Sequence, residues 1–155
     1  MKTKIASILL ACLALTPAIH AADKHDHTHE KKEAGPNGGR IITSTNPHYE
    51  FFVTPERKVK ITFLGEDNKA IPAKDQIVTA TSGDRSAPTK LTFTKDGDSL
   101  ISDKALPEGN NNPPIILQVK SSPDAKSVTE KFNANLAICP ECKHAEYACT
   151  CEHEH

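Results

Sequence analysis

Apolar and polar residues alternate through the middle of this chain. Val59, Ile61 and Phe63 take turns with Lys60 and Thr62. Period two puts one face of a strand into a core and the other into water. Similar short runs recur at residues 40–43, 49–53, 77–81, 91–94, 100–102, 115–119 and 128–136, rich in Ile, Val, Phe and Thr. Turn residues separate them. Pro55 stands at the second position of Thr54-Pro55-Glu56-Arg57, where a type I turn favours proline. Lys95-Asp96-Gly97-Asp98 joins two runs with turn chemistry. Residues 115–119 form the most apolar run and are expected at the centre of the sheet. No helical stripe exceeds two turns. Residues 35–136 are therefore expected to form an all-β fold, a small antiparallel β-sandwich of immunoglobulin-like type. An inter-sheet disulfide is not available to it, because no cysteine lies between residues 13 and 138. His48 and Glu50 fall on one face of residues 48–53 and read as a solvent-facing polar pair on an edge strand.

The pattern changes on both sides of this body. At the start, Lys2 and Lys4 precede an apolar run over residues 5–15, and Ile19-His20-Ala21 offers a small residue for cleavage. This reads as a secretory signal peptide over residues 1–21, which implies a periplasmic or secreted protein. The run is shorter than the ~20 apolar residues that a membrane-crossing helix needs. Cys12 in Leu9-Leu10-Ala11-Cys12 offers a second, lipoprotein reading. Residues 22–34 are polar and His-rich and have no periodicity, as in a disordered tail. Removing Lys2 and Lys4 with the signal leaves 17 basic against 20 acidic residues, a formal charge of −3. That balance gives no basic face for nucleic acid, and no later stretch is long and apolar enough to span a membrane.

Residues 137–155 carry the densest chemistry. Cys139, Cys142, Cys149 and Cys151 follow the pattern C-x2-C-x6-C-x-C. Two close pairs across a short loop can converge on one centre, and four thiolates suit tetrahedral Zn²⁺. Cu(I), a softer ion, is the second choice. His144, His153 and His155 are nearby substitute ligands. Two other readings stand beside this one. Four cysteines in an oxidising compartment can form two disulfides, most easily Cys139 with Cys151 and Cys142 with Cys149. Cys139-Pro140-Glu141-Cys142 also has redox-enzyme spacing, but such motifs open a helix early in an α/β domain, not the end of a β chain.

His25, His27 and His29 alternate with Asp26, Thr28 and Glu30, a pattern suited to loose capture of Zn²⁺, Cu²⁺ or Ni²⁺. No serine-nucleophile motif, no His-Glu-x-x-His and no phosphate-binding glycine loop is present, so a non-enzyme is expected.

Gly35-Pro36-Asn37-Gly38-Gly39-Arg40-Ile41-Ile42, followed by Tyr49-Glu50-Phe51-Phe52-Val53, resembles the Gly-Pro-His-Gly-Gly segment and next strand of periplasmic adaptors of heavy-metal efflux pumps. With the His cluster before it, the resemblance covers residues 25–64. Asn37 replaces the His of that pattern, and the chain has no room for an adaptor's long helical hairpin or lipoyl-like domain. The resemblance implies an exported accessory protein that handles metal, with an efflux component as a possible partner. Glu50 fills the acidic position of the pattern and, with His48 on the same face, offers a second reading as a metal ligand beside the preferred solvent-facing one. The reading drawn from all this is an exported zinc- or copper-binding protein that buffers the metal or hands it on. The alternative is a non-catalytic interaction module whose C-terminal segment is stapled by disulfides.

Overall fold

A computed structural model describes residues 32–151. Nine strands run in chain order: β1 (Arg40–Ile42), β2 (His48–Val53), β3 (Lys58–Leu64), β4 (Ala70–Ile71), β5 (Ile77–Ser82), β6 (Thr89–Asp96), β7 (Ser99–Ala105), β8 (Pro114–Lys120) and β9 (Val128–Asn133). One short 3-10 turn follows at Glu146–Ala148. Every pairing between the strands is antiparallel, in the order β1-β2-β3-β7-β6-β5-β8-β9, with β4 added beside β3.

The all-β antiparallel class expected from the alternation is what forms. Its shape is a single sheet curled into a half-barrel. The long strand β6 makes the curl. Its first half pairs with β5 (Thr92 opposite Thr79), and its second half pairs with β7 (Phe93 opposite Ser102). β6 thus carries the ladder from one wall to the other, where an immunoglobulin-like sandwich would keep two separate sheets. Gly97, at φ +59°, closes the β6–β7 hairpin at the predicted turn.

Inward residues of both walls fill the space between them: Phe51, Val59, Ile61, Phe63, Leu91, Ile115, Leu117 and Val119 are all buried. The two ends of the curled sheet also approach each other. Phe51 of β2 meets Phe132 of β9 edge-to-face at 5.0 Å, and the Arg40 guanidinium of β1 lies 4.8 Å from the Phe132 ring centre. Such contacts add roughly 0.5–1.5 kcal/mol each to plain burial.

Three expectations change. β8 lies one strand from the edge, between β5 and β9, and Ile116 on its outer face is 43 % exposed. An apolar run therefore did not mean burial on both faces. Thr62, expected to face water, is buried because Ser99 Oγ lies 3.2 Å from its hydroxyl and Asn37 Nδ2 donates to it at 3.1 Å. Glu50 is not on an edge strand, since β2 pairs with both β1 and β3, and the residue is 0 % exposed.

The 35–39 loop explains the buried carboxylate. It folds over β2 and closes on Glu50: the backbone N–H groups of Asn37 and Gly39 donate to Oε1 at 2.9 and 2.7 Å, and Asn37 Nδ2 donates to Oε2 at 2.6 Å. Charge-assisted bonds of this kind make burial of an ionised group tolerable. The close approach demands glycine. A Cβ on Gly35 would stand 2.5 Å from the Glu50 carboxyl, and one on Gly39 would stand 2.4 Å from the Phe51 carbonyl oxygen.

Candidate metal centre

The C-terminal segment docks on the body. After β9, Ala134 and Leu136 donate N–H bonds to Pro113 and Asn111. Glu146 N–H then bonds Ala137, and Tyr147 N–H bonds Asn135 at 3.1 Å. Tyr147 is the anchor. Its buried ring meets Phe51 edge-to-face at 5.6 Å, and its hydroxyl accepts the N–H of Val53 at 2.9 Å. Burial pushes the Tyr147 phenol up to about 12. The segment thereby fills the open side of the half-barrel, beside the sheet ends β1 and β9.

Within this segment the residues after Cys139 form a tight knuckle. Lys143, at φ +64°, reverses the chain, so that Lys143 N–H bonds the Cys139 carbonyl at 3.0 Å and Cys139 N–H bonds the His144 carbonyl at 2.8 Å. The turn presents Cys139 and Cys142 on one side. The 3-10 turn then delivers Cys149 and Cys151 to the same place.

All four sulfurs lie within 4.8 Å of one another. Sγ–Sγ separations are 3.5 Å for Cys139–Cys149, 3.7 Å for Cys142–Cys149 and 3.9 Å for Cys139–Cys151. A tetrahedron of ~2.3 Å metal–sulfur bonds has edges of about 3.8 Å. A disulfide would need ~2.05 Å, and no pair of the four is joined in that way. The four cysteines thus fit a single tetrahedral cation.

Electrostatics agree with the geometry. Backbone N–H groups of Thr150 and His144, donated to its sulfur, bring Cys142 down to about 6. Loss of solvent pushes Cys149 and Cys151 upward, with the adjacent sulfurs adding to the effect for Cys151. Four sulfurs this close cannot all ionise without a compensating positive charge, which a bound cation supplies.

The four cysteines predicted from spacing are the ones brought together. His144 is not with them: its backbone serves the knuckle, while its Nδ1 faces Gly38 of the 35–39 loop, 3.1 Å from where a Cβ would stand. His25, His27, His29, His153 and His155, with Cys12 and the signal segment, lie outside the described residues. Glu50 is no ligand, since the loop amides engage both of its oxygens. Sequence reasoning missed Tyr147 as the anchor. The only signal was Tyr147 itself, the one aromatic (Phe, Tyr or Trp) ring in residues 137–155.

A groove of about 1140 Å³ runs beside the centre, walled by Arg40, His48, Glu66, Asn135, Cys149 and Cys151 among others. Among the described residues, no helix is long and apolar enough to cross a membrane. No family model matches this chain, and it has no significant similarity to a curated protein or a solved structure.

Proposed function

We propose that this protein is an exported transition-metal-binding protein that holds one ion in the Cys139–Cys142–Cys149–Cys151 set and buffers it or hands it on. The observation that carries this reading is the mutual spacing of the four sulfurs, 3.5 to 3.9 Å where pairs touch, which suits one tetrahedral ion. Zinc is the first choice for an all-thiolate tetrahedron and copper(I) the second. The His-rich residues 25–29 and the terminal His153 and His155 supply looser sites that raise the local metal concentration. The likeness of residues 25–64 to heavy-metal efflux adaptors supports a role beside such a system.

The test is elemental analysis of the full chain together with a thiol count on denatured, metal-stripped protein. One equivalent of metal and four titratable thiols in the segment are expected. Cys139→Ser loses the tightly held ion, and deletion of residues 25–29 loses only a weak fraction. No metal and no thiols would instead leave a non-catalytic β module with a disulfide-stapled end.

A further inference from the structure

The 35–39 loop does more than bury Glu50: it fixes where the chain before it leaves the body. Gly35 N–H bonds the Gly39 carbonyl at 2.9 Å, and Ala34 pairs antiparallel with Arg40. The Glu50 carboxylate holds the loop itself through Asn37 and Gly39. The cysteine knuckle packs on the same loop, since His144 Nδ1 lies 3.1 Å from where a Cβ on Gly38 would stand. Lys32 and Glu33, just before the loop, accordingly wall the same groove as Cys149 and Cys151. The base of the His-rich run and two of the four thiols therefore open on one space of about 1140 Å³.

His29 stands three residues before Lys32, His27 five and His25 seven. An extended chain spans at most ~3.6 Å per residue, so the Cα atoms of these residues are tethered within about 11, 18 and 25 Å of that of Lys32. A donor on so short a tether meets its acceptor at an effective concentration in the ~mM range. Imidazole and thiolate both ligate zinc, and four converging thiolates make the tighter set. Resting on the four-sulfur reading, we infer that the groove's occupant is residues 25–31 of this same chain, and that the ion reaches the four sulfurs by direct transfer from His25, His27 and His29 in cis. The transfer is a ligand exchange. Each metal–imidazole bond breaks as a metal–sulfur bond forms, each thiol gives its proton to solvent, and no electron changes hands. The loop and Glu50 serve as the anchor that keeps donor and acceptor on one groove. This goes beyond enrichment of the ion near the protein: a His run attached elsewhere on the body would enrich it equally but could not pass it on.

The experiment uses the metal-free, fully reduced full chain and limiting Co²⁺, with the thiolate–Co²⁺ charge-transfer band reading arrival at the sulfurs. The triple variant His25→Ala/His27→Ala/His29→Ala is expected to fill the site at least tenfold more slowly, with the same final band. Inserting about fifteen Gly and Ser residues between Lys31 and Lys32 keeps every ligand and should slow filling severalfold, because effective concentration falls as a tether lengthens. In a mixing arm, an equal amount of the Cys139→Ser chain, which keeps the His run, is added to the triple variant and should not restore the rate. If the triple variant or the lengthened chain fills at the original rate, or the mixture recovers it, transfer in cis is refuted. Loading then falls to free ion, to His153 and His155 or to a partner, and the four-sulfur reading stands. Failure of the full chain to bind Co²⁺, Zn²⁺ or Cu(I) at its thiols overturns both.

Discussion

Stripping the metal from the four-sulfur centre is expected to lower the melting temperature of the whole β body, beyond any loosening of the C-terminal segment. Structural zinc in small thiolate sites is worth roughly 10–16 kcal/mol of apparent binding energy at neutral pH. Only the excess of free metal over the dissociation constant appears as stability, about 4 kcal/mol at a thousandfold excess. For a domain of this size each kcal/mol moves the midpoint by roughly 3–6 °C, so a shift on the order of 15 °C follows. The coupling runs through Tyr147, which ties the segment to Val53 at 2.9 Å and to Asn135 at 3.1 Å. Tyr147→Phe leaves the Val53 N–H without this acceptor, and should cost about 1–2 kcal/mol while leaving metal stoichiometry intact. Calorimetry with and without chelator checks both. A body that melts at the same temperature after verified metal loss would show that segment and barrel are energetically independent.

The second large effect belongs to Glu50. Glu50→Ala removes the acceptor for three donors, from Asn37 N, Asn37 Nδ2 and Gly39 N. Leaving a buried donor unsatisfied costs about 1–3 kcal/mol. Because Gly39 is buried while Asn37 reaches solvent, a net loss of about 3–5 kcal/mol is expected, against total stabilities of about 5–15 kcal/mol for ordinary domains. Glu50→Gln should fall between, since its amide keeps one acceptor oxygen but turns a donor toward Asn37. Gly39→Ala should match the severity of Glu50→Ala, because its methyl group meets the Phe51 carbonyl at 2.4 Å and the backbone must move. Urea unfolding measures all three. Metal content of any folded Glu50→Gln protein then separates a structural clamp from a ligand: unchanged metal is expected, and loss of one equivalent would return Glu50 to the ligand set.

The alternation of apolar and polar residues made most strands legible, because a half-buried strand writes its period directly into the chain. β4 escaped notice, since two residues cannot display a period. The curl escaped as well: it depends on β6 changing partners halfway along, and nothing in residues 89–96 marks that point. The cysteine centre was legible because its ligands are close in sequence and chemically distinctive. Glu50 and Thr62 were misread for a common reason. Local alternation assigns them to a wet face, but a loop some ten to twenty-five residues away supplies the polar partners that let them be buried. The glycines of that loop were visible as a motif, while their purpose required knowing what they had to approach.

The docking of Tyr147 has an optical consequence. The chain contains no tryptophan and only two tyrosines, so these two rings supply its near-ultraviolet emission. Tyr49 sits inside the barrel against Phe63 at 6.3 Å, while Tyr147 stands two residues from Cys149. Filling the site with Co²⁺, whose thiolate charge-transfer bands overlap tyrosine emission, should dim Tyr147 far more than Tyr49. The protein thus carries its own fluorimeter for metal occupancy, with a bright reference and a quenchable reporter in one polypeptide.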